Sequence, residues 1–291
     1  LLYRKYFYRS ATNDTMRKDL KEVVSSVTKI ARPKKNDTVI DIGANDCTLL
    51  NFFNKKLNLV GFEPARNIKH INKGKKIKIF NTYFNSKDYK KKFSGTKAKI
   101  ITSCAMFYDI ANPKKFVNDI DRLLSDDGIW CVQISYLASM ITNSNFYDIC
   151  HEHLSYYSLE TFNNLLKDYN LRSFYAETNA VNGGSIRIYV CRKNSIFLNK
   201  KHFRKSLQKL EKEEKNLLLT KPKTFMNFQK RIDKIKKKTN EFVKYIHAMN
   251  GEIFGLGAST KGNILLQHFG LNKEKIPYIS ERNPEKVGLR C

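Results

Sequence analysis

The sequence predicts an α/β chain: a parallel sheet closed by one antiparallel hairpin, then basic helices, then a further βαβ unit. Two observations carry that prediction. Between Val39 and Val190 short β-rich runs alternate with helical patterns, the order that sets strands parallel with helices on both faces. Residues 171–177 and 185–191 then follow each other with no helix between them, and Asn182-Gly183-Gly184 is a strong turn signal, so the two runs pair antiparallel.

In chain order, an amino-terminal segment with a helix fills residues 1–36. Strand candidates follow at 38–42, 57–62, 76–80, 99–103 and 128–135, with helical patterns at 48–55, 66–72 and 113–124. A parallel sheet finished by an antiparallel hairpin is the order of class I methyltransferases, whereas a dinucleotide-binding domain continues with crossovers. Residues 37–193 therefore read as one Rossmann-like domain with a terminal hairpin. Residues 194–250 are Lys-rich and broken at Pro222, with Leu207, Leu210, Leu217 and Leu218 and then Ile232, Ile235, Phe242 and Ile246 at helical intervals. They read as two amphipathic helices with basic outer faces. A strand at 252–256, a tight turn at 257–262, a helix at 263–269 and a strand at 276–279 make one βαβ unit, a partial Rossmann-like domain over 251–291. The chain opens Leu1-Leu2-Tyr3 and stops just after that last strand, and is expected to be a fragment at both ends.

Composition narrows the function. The chain carries 54 Lys+Arg against 27 Asp+Glu, a formal charge of +27, which invites a polyanion partner. The excess is mainly Lys, alongside abundant Asn and Ile, as AT-rich coding produces. Its densest stretch lies in the linking helices, away from the loops that carry recognisable chemistry. No apolar run approaches a membrane span and no signal-peptide pattern opens the chain, so a cytoplasmic protein is expected. The cysteines at 47, 104, 131, 150, 191 and 291 form no C-x-x-C pair and no zinc spacing, so no metal is expected.

Val39-Ile40-Asp41-Ile42-Gly43-Ala44-Asn45-Asp46-Cys47-Thr48-Leu49-Leu50 reads as strand, tight turn and helix start, and Gly61-Phe62-Glu63-Pro64 ends the second strand on a carboxylate. A carboxylate there suits the two ribose hydroxyls of a nucleoside lying over the strand ends. Asp41 favours a cationic ligand over a pyrophosphate. S-Adenosylmethionine, with a sulfonium, an ammonium and no phosphate, fits better than NAD.

These residues resemble the cofactor motif of the nucleotide-sugar C-methyltransferases, class I enzymes that alkylate carbon on 4-keto-deoxyhexoses. Four further stretches match in order across nearly the whole chain: Tyr6-Phe7-Tyr8-Arg9-Ser10 with Thr15-Met16-Arg17; Cys150-His151-Glu152-His153-Leu154-Ser155-Tyr156-Tyr157-Ser158; Asn182-Gly183-Gly184-Ser185-Ile186-Arg187; and Gly255-Leu256-Gly257-Ala258-Ser259-Thr260-Lys261-Gly262-Asn263. The resemblance implies S-adenosylmethionine bound by Asp41, Gly43, Asn45, Asp46 and Glu63. It implies a nucleotide-sugar substrate, dTDP-linked, contacted by Tyr156, Asn182, Gly183, Arg187 and Lys261. It also implies a cysteine-rich zinc segment ahead of the Tyr-Arg-Ser stretch, and further chain beyond Arg282-Asn283-Pro284. Cys47 departs from the family's glycine and is expected to weaken cofactor binding; Cys150 stands where the family commonly has tyrosine.

His151-Glu152-His153 carries the chemistry. Removing a proton beside a ketone needs a base poised near neutral pH, which imidazole supplies, with a neighbouring carboxylate to orient it. The resemblance makes His153 the leading base, with His151 and Glu152 beside it. Tyr8 stands in for the missing phenol, with Tyr156 second, and Tyr8, Asn182 or the Gly183 and Gly184 amides are candidate donors to the enolate. The glycine turn before Lys261 is a candidate seat for the substrate's pyrophosphate. Two other readings stay open: a nucleic-acid methyltransferase, against which no Asn/Asp-Pro-Pro-Tyr motif is present, and a catalytically degenerate fold that binds a partner or polyanion.

Overall fold

The computed structural model describes residues 2–4, 6, 8–68, 76–281 and 287–289. Phe7, residues 69–72 of the expected helix at 66–72, Arg282-Asn283-Pro284 and Cys291 lie outside the described residues. The chain clusters into two compact units. Unit 1 comprises Leu1–Tyr136 and Ser155–Asn216, and unit 2 Leu137–Leu154 and Leu217–Cys291. The sequence divides into four consecutive segments, but the units draw on stretches distant in the chain.

Unit 1 begins with α1 (Asp14–Ala31), capped by the Asn13 side chain accepting from the Met16 amide; Leu20, Val23, Val24, Val27 and Ala31 bury its apolar stripe. Then come β1 (Thr38–Ile42), α2 (Thr48–Phe52), β2 (Asn58–Phe62), β3 (Ile77–Phe80), α3 (Ser86–Lys92), β4 (Ala98–Cys104), α4 (Pro113–Leu123) and β5 (Leu124–Ser135). α5 (Leu137–Asn143) belongs to unit 2. Unit 1 resumes with α6 (Leu159–Leu166), β6 (Leu171–Asn179), β7 (Ser185–Arg192) and α7 (Lys201–Leu217), whose last residue falls in unit 2.

Among the described residues seven strands form one sheet in the order β3-β2-β1-β4-β5-β7-β6. The first five run parallel, and β7 pairs antiparallel with both β5 and β6. This is the expected class I sheet with its terminal hairpin. β1 lies inside it between β2 and β4, buried at every position, and its Val39, Ile40 and Ile42 supply the apolar side chains that a parallel strand covered on both faces needs. Each such Val or Ile contributes roughly 1.5–3 kcal/mol by leaving water. Alternation along β5 splits the core. Ile129 and Cys131 pack with α1 and α2 residues, while Trp130 on the other face meets Phe107, Phe116 and Phe162 at 5.6–6.2 Å between ring centroids. The order reverses between β1 and β4, the switch point at which doubly wound sheets open a crevice at the strands' carboxyl ends.

Unit 2 contains α5, a single 3₁₀ turn at Phe146–Asp148, α8 (Pro222–Ala248), β8 (Gly255–Leu256), α9 (Thr260–Phe269) and β9 (Ile279–Ser280). β8 and β9 pair in parallel around α9, the expected βαβ unit. Each strand is two residues long where five and four are expected, since each has one ladder partner among the described residues. Pro222 stands at the first position of α8, where its missing N–H costs nothing. The apolar stripe of α8 is partly covered: Phe228, Ile232 and Val243 are buried, Ile235 and Phe242 exposed.

Candidate active site

At the carboxyl end of β1 the chain turns through three positive φ angles: 74° at Gly43, 48° at Asn45 and 62° at Cys47. Gly43 is required there twice over, because a Cβ would also meet Met106 Cγ at 3.2 Å. The turn is bound to the end of β2. The amides of Gly43 and Ala44 donate to the Phe62 carbonyl at 2.9 and 3.0 Å, and the Asn45 amide donates to Glu63 Oε2 at 2.7 Å. Glu63 Oε1 accepts the Ala65 amide at 2.8 Å. Asp41 is 3% exposed and accepts the Thr102 hydroxyl at 2.6 Å.

The expected cofactor residues Asp41, Gly43, Asn45, Asp46 and Glu63 thus converge, all in unit 1. Two of them have a task that sequence does not reveal. Asn45 Oδ1 accepts the Ser10 amide at 3.1 Å and its Nδ2 donates to the Tyr8 carbonyl at 3.0 Å. Asp46 Oδ2 accepts the Ala11 amide at 2.8 Å, while its Oδ1 takes the Thr48 amide and hydroxyl at 3.1 and 2.6 Å. Further along the same strap, Tyr6 and Asn67 exchange two hydrogen bonds of 3.1 and 2.8 Å. The Tyr-Arg-Ser stretch is therefore tied across the loops that follow β1 and β2. Cys47 adopts the left-handed conformation that favours glycine, at about 1–2 kcal/mol. Its thiol is buried in the core cluster, so it does not intrude on the loop.

Burial first, then the Glu63 charge, against the Thr102 hydrogen bond, pushes Asp41 up to about 7. Burial also raises Glu63, against hydrogen bonds from the Ala65 and Asn45 amides and with the Asp46 charge adding to the rise. Carboxylates that lift one another's pKa are relieved by a cation. Glu63 uses two of the roughly four acceptor positions of a carboxylate on backbone amides, which leaves two for a diol. This donor set fits a nucleoside that carries positive charge.

Tyr8, 41% exposed, has its phenol pushed up to about 12 by partial burial and then by Asp46 and Asp19, against a Ser10 hydrogen bond. It is a neutral donor throughout the physiological range. Tyr156 is half-buried in unit 1. Asn182 and Gly183 lie in the β6–β7 turn with φ of 55° and 89°. The Gly183 and Gly184 amides donate inside that turn, to Ala180 and Val181 carbonyls at 3.3 and 3.0 Å, so they are not open donors for an enolate. Arg187 lies within the sheet, 5% exposed, and each of its three nitrogens donates to the protein: Nε to Gln133 at 2.8 Å, Nη1 to Glu177 at 3.0 Å and Nη2 to Asp19 at 2.9 Å. It braces α1 against the hairpin, in place of the expected substrate contact.

His151, Glu152 and His153 fall in unit 2, just past the Phe146–Asp148 turn. The His153 amide closes a turn on the Cys150 carbonyl at 3.1 Å. His151 is exposed, whereas Glu152 and His153 are half-buried. Burial lowers the His153 pKa, opposed by the Asp148 charge and by a hydrogen bond to the Asp148 carbonyl, with Lys261 lowering it and Glu152 raising it. Lys261, in the first turn of α9, forms an ion pair with Asp148, whose side chain is 3% exposed. Sequence reasoning passed over Asp148, though an acidic residue in an aromatic run just before His-Glu-His was a usable signal. Among the described residues no group of three or more His, Cys, Asp or Glu side chains could hold a metal, and no helix is long and apolar enough to cross a membrane.

Known proteins resemble this chain in sequence and fold. Residues 13–174 match the family described as methyltransferase domain, and residues 180–291 that described as C-methyltransferase C-terminal domain. The chain is 24% identical to C-methyltransferase NovU of Streptomyces niveus over 292 aligned positions, covering 99% of this chain and 68% of that protein. Among solved structures, the YcgJ protein of Bacillus subtilis aligns with TM-score 0.47 and 14% identity over 60% of this chain and 99% of that one. An S-adenosylmethionine-dependent methyltransferase of Clostridium acetobutylicum aligns with TM-score 0.47 and 13% identity over 62% and 93%. The chain belongs to the S-adenosylmethionine-dependent methyltransferases, and its residues 180–291 carry the C-methyltransferase match.

Proposed function

We propose that the protein transfers a methyl group to the carbon beside the keto group of a nucleotide-linked 4-keto-deoxyhexose, dTDP-linked, with His153 as the base. The observation that carries this reading is the state of His153. Its N–H is held by the Asp148 carbonyl, and burial lowers its pKa, which favours the neutral imidazole. A neutral imidazole has one donor and one acceptor nitrogen, so the second nitrogen keeps its lone pair for a substrate proton. The charge of Glu152, adjacent in sequence, raises the imidazole's basicity.

S-Adenosylmethionine, when bound, supplies an electrophilic methyl on a sulfonium. Asp41 and Glu63 would balance its positive charge, Glu63 would take the ribose hydroxyls, and the Gly43 turn would let the backbone approach. Removal of the proton by His153 leaves an enolate whose carbon would take the methyl, the electron pair of the broken methyl–sulfur bond staying with the sulfur of S-adenosylhomocysteine. Tyr8, neutral below pH 12, donates a hydrogen bond to the enolate oxygen, with Tyr156 and Asn182 as the other side-chain donors. A cytoplasmic setting is part of this proposal. The test supplies methyl-labelled cofactor and a panel of 4-keto sugar nucleotides to wild type and His153→Ala. Label in a sugar carbon with wild type and a loss of at least about a hundredfold in the variant is expected. No label in any sugar, or undiminished transfer by the variant, would sink the proposal.

A further inference from the structure

The Lys261–Asp148 pair needs an explanation, because a buried carboxylate at a 3₁₀ turn is costly to retain. Asp148 ends the Phe146–Asp148 turn, and its backbone carbonyl accepts both the Cys150 amide at 3.1 Å and the His153 imidazole. Its carboxylate is held by Lys261 from α9. The same helix grips the turn at its other end, where Phe146 stacks on Phe269 with centroids 5.3 Å apart and meets His268 at 5.1 Å. The Lys261 ammonium also lies 5.8 Å from the Tyr147 ring centroid, and the Tyr147 hydroxyl donates to Asn145 at 2.9 Å. Every residue of the turn is thus fixed to α9 or to its own loop.

We infer that Asp148 is the positioning residue for His153, with Lys261 as the clamp: the α9 lysine fixes the Asp148 side chain, and the Asp148 carbonyl then fixes the imidazole's tautomer and direction. The inference rests on reading His153 as the base. It gives Lys261 a partner inside unit 2, in place of the substrate pyrophosphate. A base whose spare N–H is tied to a backbone carbonyl presents its other nitrogen in a single orientation, which is where positioning contributes to rate. The charged groups that face His153 are Asp148, Glu152 and Lys261, and they act with opposite signs, the two carboxylates raising and the lysine lowering its pKa.

Those signs make the inference testable without turnover. The His153 imidazole is titrated by ¹⁵N NMR in the full chain, its signal assigned by its loss in His153→Gln. Asp148→Asn keeps the backbone carbonyl and removes the charge, and its midpoint moves to lower pH. Lys261→Met removes the opposing charge, and its midpoint moves to higher pH. Lys261→Arg leaves the midpoint in place, and the double variant Asp148→Asn/Lys261→Met lies above Asp148→Asn alone, which preserves the comparison if Lys261→Met does not fold. In steady state Asp148→Asn loses about tenfold or more in kcat with KM little changed. Unmoved midpoints, or shifts of the same sign in both single variants, overturn the inference. A Lys261→Met variant whose sole defect is a raised KM for the sugar nucleotide overturns it too, since that is how an anion contact behaves. Opposite shifts alongside undiminished transfer by His153→Gln would remove His153 as base while leaving the contact standing.

Discussion

The Glu63 carboxylate accepts the Asn45 backbone amide at 2.7 Å, so one side chain at the end of β2 holds the turn that follows β1. Its other oxygen holds the Ala65 amide at 2.8 Å. Glu63→Gln replaces a charge-assisted acceptor by an amide whose nitrogen faces a backbone N–H. Such bonds contribute about 1.5–3 kcal/mol, so calorimetric affinity for S-adenosylmethionine falls roughly tenfold to a hundredfold. An unchanged affinity would show that Glu63 braces the loop without touching the cofactor.

Asp41 makes both stability and binding depend on pH. Its folded pKa, about 7, lies above the ordinary 3.8, so folding takes up a proton between those values. The Asp41 contribution is complete below about pH 4 and is lost as pH rises through 7, up to about 4 kcal/mol in all. Asp41→Asn should flatten that part of the profile in denaturant unfolding between pH 4 and 8. Binding of a cation lowers the same pKa, so titrations at pH 7 in buffers of different ionisation enthalpy should show a fraction of a proton released.

The strap over residues 8–13 depends on Asn45 and Asp46. Asp46→Ala removes the acceptor of the Ala11 amide and of the Thr48 amide at the start of α2. Hydrogen exchange of residues 10–13 should accelerate about tenfold to a hundredfold, while the centre of α1 keeps its protection. Equal acceleration throughout α1 would mean that the strap is not an independent element.

Arg187→Met leaves Asp19 and Glu177 without their cation, and removing one partner of a buried network costs about 3–5 kcal/mol. The account predicts a lowered Tm with KM for the sugar nucleotide little changed below the transition. A raised KM at unchanged Tm would restore the substrate contact.

Legibility followed the range of the interactions. β1, β2 and the hairpin were readable because continuous Val, Ile and Leu runs and one Asn-Gly-Gly turn are local signals. α3 carries Ser-Lys-Asp-Tyr-Lys-Lys-Lys with one buried aromatic, Tyr89, and shows no apolar period to find; its signal is the Asn85 cap. The Asp19–Arg187 pair spans 168 positions, and no local pattern links its ends. The loop motif placed Asn45 and Asp46 at the cofactor site, yet their side chains hold the strap, because residue type does not say which neighbour a carboxylate will meet. Lys261 was legible as a cation at a helix start, but its buried partner more than a hundred positions earlier was not.

The most direct test of the central claim is exchange of the substrate's α-hydrogen with solvent. A 4-keto sugar nucleotide is incubated in D₂O with the protein and S-adenosylhomocysteine, which occupies the cofactor site without a methyl to give, and deuterium beside the ketone is read by NMR. The account predicts enzyme-dependent incorporation that His153→Ala abolishes. Incorporation that survives in His153→Ala, or transfer of labelled methyl by a variant unable to exchange the hydrogen, would contradict it.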